Sequence, residues 1–136
     1  MEQKDYLMRE IEKIGLLLRS ILGSLMNKKD NLPIETQTPF AQTNELLINE
    51  INFHLDKFLT LDKSATKEYI SKFNGITSAN LELLAEILFQ FGISDQSDNK
   101  RIYFEKALQL YELSSIMDKT FSSPRENRID EIKNVL

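Results

Sequence analysis

The sequence predicts an all-α fold of about six helices. Apolar residues recur at alternating spacings of three and four over residues 7–25 and again over 47–61, the period of a one-sided helix. Glycine and proline are scarce, at four and three residues, and this favours long helices over a turn-rich sandwich or a nucleotide-binding α/β sheet. With 41% hydrophobic and 28% charged residues, the chain is apolar enough to bury one core, and its length corresponds to one domain, residues 1–136.

The first expected helix covers about residues 3–28, because Leu7, Ile11, Ile14, Leu18, Ile21 and Leu25 fall on one stripe. Gly15 permits a close crossing there, so the helix is expected to pack first against its own domain; a homodimer would use the apolar surface left over. Residues 31–39 hold Pro33 and Pro39 and read as a connector, with Thr38 capping a helix that begins at proline. That second helix should run from about Phe40 or Thr43 to Leu61, with Leu47, Ile51, His54, Phe58 and Leu61 in phase.

Ser64 is placed to cap a short helix over Ala65–Phe73, closed by Asn74 and Gly75, both tolerant of left-handed backbone. Ser78 is placed to start a helix over Ala79–Phe91, closed by Gly92. After a polar turn, a long helix is expected over about Asp98–Thr120. Ser123, Pro124 and Glu126 then form a capping-box pattern that opens a last helix over 124–136.

Chemistry-bearing patterns are few. Cysteine is absent, which removes disulfides, thiolate metal sites and thiol nucleophiles. The single histidine, His54, lies on the stripe of Leu47, Ile51 and Phe58; Asp56, two residues on, faces a different direction on a helix, and His54 reads as a core-edge residue, not a metal ligand. Glu82/Glu86 and Asp5/Glu12 share helical faces, but a di-metal carboxylate bundle also needs Glu-x-x-His motifs, which are missing. No glycines build a nucleophile elbow or a phosphate loop, since Gly15, Gly23, Gly75 and Gly92 are isolated. The expectation is therefore no enzyme, no catalytic residue, no metal and no cofactor.

The net charge of −4 is concentrated in residues 31–98, with four lysines against ten acidic residues. An acidic middle repels phosphate, so nucleic acid is not expected as a partner. The N-terminus lacks a secretory signal pattern and no run reaches the ~20 apolar residues of a membrane span, which makes a cytoplasmic location the expectation. Residues 14–26, flanked by Lys13, Lys28 and Lys29, leave peripheral membrane attachment as the alternative.

Tyr103–Asp118, with small Ala107, aromatic Tyr111, small Ser114 and terminal Asp118, resembles the second helix of a tetratricopeptide repeat. Leu81, Leu84, Ala85 and Leu88 resemble the large, large, small, large pattern of the first helix. The separation of Ala85 and Ala107 exceeds the family's usual spacing by about ten residues, so the first helix or its turn should be extended. Lys119 stands where that family often has proline. Lys4–Gly15 also resembles the start of a family of uncharacterised bacterial proteins in which a long N-terminal helix precedes repeat-like hairpins.

The resemblance implies antiparallel hairpins over about 40–120, a terminal capping helix over 124–136, and a non-catalytic protein-interaction role in a bacterial cytoplasm. It also places the groove-facing positions at Glu82, Glu86, Phe89 and Gln90. Two carboxylates beside an aromatic suit a basic or amphipathic protein or peptide partner.

Overall fold

The computed structural model describes residues 2–27, 38–94 and 99–136, and among them every regular element is a helix. These are α1 (Glu2–Met26), α2 (Pro39–Ile51), α3 (Leu55–Phe58), α4 (Lys63–Ser71), α5 (Ser78–Ser94), α6 (Lys100–Asp118) and α7 (Ser123–Val135). The start of the long helix expected at Asp98 and most of the connector at 31–39 lie outside the described residues.

Helix α5 is the centre of the bundle. Leu81, Leu84, Ala85, Ile87, Leu88, Phe89 and Phe91 are all buried, so it is apolar on nearly every side and takes neighbours on several faces. Its most extensive partners are α6 and then α1. From α1, Ile14, Leu18 and Ile21 enter the core, while Leu7 stays exposed where the stripe runs past the bundle's edge. Within residues 14–26, Ile14, Leu18 and Ile21 are thus enclosed by the protein itself, Leu17, Leu22 and Leu25 are partly buried, and Leu16 and Met26 are exposed.

Side-chain meetings fix the helix directions. Pro39 and Thr43 line a hollow with Ile21 and Leu25, while Glu50 borders Arg9 and Leu16, so α1 and α2 run antiparallel. The Ser114 hydroxyl donates to the Ser78 carbonyl at 3.0 Å, and Phe91 meets Tyr103 at 5.6 Å between ring centroids, so α5 and α6 are antiparallel. Glu82 pairs with Arg125 and Glu86 with Arg128, which sets α7 parallel to α5.

Several local expectations are corrected. The second helix does not continue to Leu61: Asn52 adopts a left-handed conformation (φ 56°), and its N–H donates to the Ile48 carbonyl at 3.0 Å. Asn tolerates this geometry at a helix end. The break turns Phe53 into an aromatic cluster with Phe58, Tyr69 and Phe73 at centroid distances of 5.0–5.2 Å. His54 consequently leaves the helical stripe. Its backbone N–H donates to the Tyr69 hydroxyl at 2.9 Å, and Nε2 lies 3.1 Å from the Asn52 side-chain oxygen.

Three caps shift toward the N-terminus. Asp62, not Ser64, caps α4 by accepting the Ala65 N–H at 2.8 Å, where a carboxylate also meets the positive end of the helix dipole. Thr77 accepts the Asn80 N–H at 3.3 Å and so opens α5 one residue before Ser78. Ser122 accepts the Arg125 N–H, which displaces the capping box expected at Ser123 and Glu126. The Thr38–Pro39 start is found as expected, with Thr38 accepting from Ala41 at 3.1 Å.

The two supposed helix-closing glycines serve another purpose. Neither has a positive φ. A Cβ on Gly75 would lie 2.7 Å from Ile14 Cδ1 and 2.9 Å from the Glu10 carbonyl oxygen, so its lack of a side chain lets α1 pass close by. Gly92 lies inside α5, which continues to Ser94, and its hydrogen faces Phe104 where a Cβ would sit 2.6 Å from the ring. Gly15 does mark a tight crossing, opposite Asn80; the Asn80 amide donates to the carbonyls of Ile11 and Gly75 at 3.0 and 2.7 Å.

Candidate functional site

The four residues named from the sequence, Glu82, Glu86, Phe89 and Gln90, lie along α5, and two arginines of α7 reach the first three. Glu86 is the better enclosed carboxylate. It receives Arg128 Nη2 on one oxygen at 2.5 Å and Nε on the other at 3.0 Å, a forked pair that a lysine could not reproduce. The Tyr111 hydroxyl donates to the same carboxylate from α6, so three helices meet at one group.

Phe89 is buried beside this node. Its ring packs on Phe104 at 5.6 Å, and the Arg128 guanidinium lies over it at 3.9 Å. The fork orients the guanidinium, and the ring face supplies a second attraction to the same cation. Gln90 is half-buried at the end of the row.

Glu82 belongs to a second node, one helical turn earlier. Arg125 is fully buried, and its Nη1 is shared among Glu82 at 3.4 Å, Ser114 at 3.3 Å and Asp118 at 3.3 Å; Nη2 donates to the Thr120 carbonyl at 2.7 Å. These Nη1 contacts are long, and Arg125 Nε has no hydrogen-bond acceptor among the described residues. A buried donor without an acceptor costs about 1–3 kcal/mol. The second node therefore holds α7 less well than the first.

The electrostatics follow from these contacts. Burial pushes the Tyr111 hydroxyl well above its ordinary value, and its hydrogen bond to the Glu86 carboxylate adds to that. For Arg128, burial works against the charge, but the hydrogen bond and charge of Glu86 more than offset it and raise the pKa. Asp118 is held below the ordinary carboxylate range by its hydrogen bond with Thr120 and then by Arg125.

A second polar feature was not legible in the sequence. Lys106 on α6 is 3% exposed, and its Nζ donates to the Leu61 carbonyl at 2.7 Å, Thr66 Oγ1 at 2.6 Å and Gln109 Oε1 at 3.1 Å. Phe58 lies 5.2 Å away. Burial lowers the lysine pKa, partly countered by the charge of Asp62. Lys106 lines a cleft of about 490 Å³ between the α2–α3 region and α6.

Among the described residues, no group of three or more His, Cys, Asp or Glu side chains is placed to hold a metal ion. No described helix is long and apolar enough to cross a membrane. The Asp56 N–H donates to the Asn44 side-chain oxygen at 3.2 Å. No protein-family model, curated protein or solved structure matches this chain.

Proposed function

We propose that the chain is a non-catalytic protein-interaction module of tetratricopeptide-like hairpins, which uses the Glu82, Glu86, Phe89 and Gln90 row to recognise an amphipathic helix. The observation that supports this reading is α7 itself. The row receives a helix whose two arginines, three residues apart, meet two carboxylates one turn apart, and Ile129 and Ile132 of the same helix are buried. Stacking similar hairpins side by side sets each first helix parallel to the one before, and α7 lies parallel to α5 and against α6.

The recognised feature is a pattern more than a net charge. Residues 122–136 carry three basic and three acidic side chains, yet both arginines meet α5 or α6. A partner helix with the same inward arginines and apolar residues matches the row, and the incomplete Arg125 node leaves it competitive with α7. The setting this reading implies is a bacterial cytoplasm, with a protein or peptide as partner and no nucleic acid.

The test is competition in trans. A synthetic peptide of residues 122–136, added to the intact protein, should shift the amide resonances of Glu82–Gln90 and speed hydrogen exchange over Ser123–Val135 as α7 is released. Unchanged spectra and exchange at saturating peptide would defeat the proposal. Reversing Glu82 and Glu86 to lysine is a poorer test, because it also unseats α7.

A further inference from the structure

We propose that the cleft between the α2–α3 region and α6 binds an apolar monocarboxylate, with the ligand's carboxylate paired to Lys106. This inference is separate from helix recognition on α5. The cleft, at about 490 Å³, has the size of a small-ligand pocket, and Phe40, Leu59, Ile102 and Tyr103 give it apolar walls. Its polar lining comprises Lys106 and Gln109 on α6 together with Asp56, Thr60, Asn99 and Glu105, and Lys106 is the cation among them.

Lys106 is the unusual element. Its three donors are met, but all three acceptors are neutral. Taking an ammonium group out of water is costly, and neutral acceptors recover less of that cost than an anion does. Asp62 is the carboxylate that acts on it through space, and one oxygen of Asp62 is already engaged as the α4 cap. Among the described residues, the buried cation thus has no carboxylate in its hydrogen-bond shell.

The three acceptors are not equivalent. Thr66 lies on the inner side, and the Leu61 carbonyl is fixed in the backbone. Gln109 has the longest contact, is half-buried, and borders the cleft on a flexible side chain. Rotation of Gln109 would let a ligand carboxylate oxygen take its place, exchanging a neutral acceptor for a charged one.

The cleft's own acids limit the ligand's charge. Glu105 is paired with Arg101 at 2.7 Å, but Asp56 remains at the exposed rim. One negative charge at Lys106 with an apolar body along Phe40 and Ile102 suits this arrangement better than a phosphate or a dicarboxylate. A free organic acid and an apolar peptide C-terminus share that chemistry.

Octanoate and the uncharged octanamide separate charge recognition from apolar adsorption when titrated into the intact protein and followed by amide and lysine resonances. Octanoate should bind about tenfold more tightly than octanamide and shift Lys106, Gln109 and Ile102. Lys106→Met should abolish that preference. Because it also leaves three acceptors unpaired, Ile102→Asp provides a second variant at a half-exposed wall position: it should weaken octanoate about tenfold with an unchanged melting temperature. Tighter binding of acetyl-leucyl-leucine than of octanoate, lost on amidation, would assign the source to a peptide terminus; the reverse order would assign it to a free acid. Equal binding of octanoate and octanamide, absence of shifts at the cleft, or full octanoate affinity in folded Ile102→Asp would overturn the proposal.

Discussion

The guanidinium of Arg128 lies 3.9 Å above the ring of Phe89, held there by a forked pair with Glu86. The two contacts act on one rigid group, so truncation loses both together. Arg128→Ala should destabilise the protein by about 1–3 kcal/mol, the range for a charge-assisted hydrogen-bond site with some stacking. Arg128→Lys keeps the charge but not the planar fork, and should remain less stable than the parent protein. Urea midpoints measure both changes; a parent-like Arg128→Lys would show that charge alone seats α7.

The Tyr111 hydroxyl provides a pH test of the same node. Its folded pKa is raised above the unfolded value of 10.0, so the folded state keeps the proton while the unfolded state loses it. The stabilisation is fully present below pH 10 and falls as pH rises above that value toward the raised folded pKa. Tyr111→Phe removes this contribution. The stability difference between parent and variant should therefore be level from pH 7 to 9 and shrink above pH 10. A difference that stays constant to pH 11 would mean that Tyr111 does not retain its proton.

How far the sequence reveals this structure depends on the range of each contact. The stripe of α1 was legible because Ile14, Leu18 and Ile21 repeat locally, and all three are buried. The break at Asn52 was not, since Leu47, Ile51 and Phe58 keep helical phase across it without an intervening glycine or proline. Glu82, Glu86 and Phe89 were singled out through the repeat resemblance, but the arginines that meet the two carboxylates are 43 and 42 residues away and resemble solvated side chains when read alone. Gly75 and Gly92 invited a backbone explanation. Their role is space for Ile14 and Phe104, information held in tertiary contact and not in the neighbouring residues.

Ala107 tests the closeness of the central helix pair. It is completely buried on α6, and Ala85 is equally buried on α5, the helix that α6 packs against most extensively. Interiors of this density have little room for added methylenes. Ala107→Leu should cost about 1–3 kcal/mol through overpacking, even though leucine is a good helix former. An unchanged denaturation midpoint would place the position outside the tight crossing.

Gly92 and Gly23 separate helix propensity from space within one protein. Both lie in helices, and an exposed glycine-to-alanine change there would ordinarily gain about 0.5–1 kcal/mol from reduced backbone freedom. At Gly23 an added Cβ meets nothing within 4 Å, so that gain should be realised and Gly23→Ala should raise the melting temperature. At Gly92 the same atom would sit 2.6 Å from Phe104, whose ring is itself packed against Phe89 at 5.6 Å. Relief requires α5 and α6 to separate or the ring to leave its place, and overpacking of this kind costs about 1–3 kcal/mol. The steric term exceeds the propensity term, so Gly92→Ala should lower the melting temperature despite its better helix former. Thermal melts of the two single variants measure the opposition directly: equal stabilisation by both would show that Phe104 yields freely and that Gly92 is not needed for the α5–α6 approach.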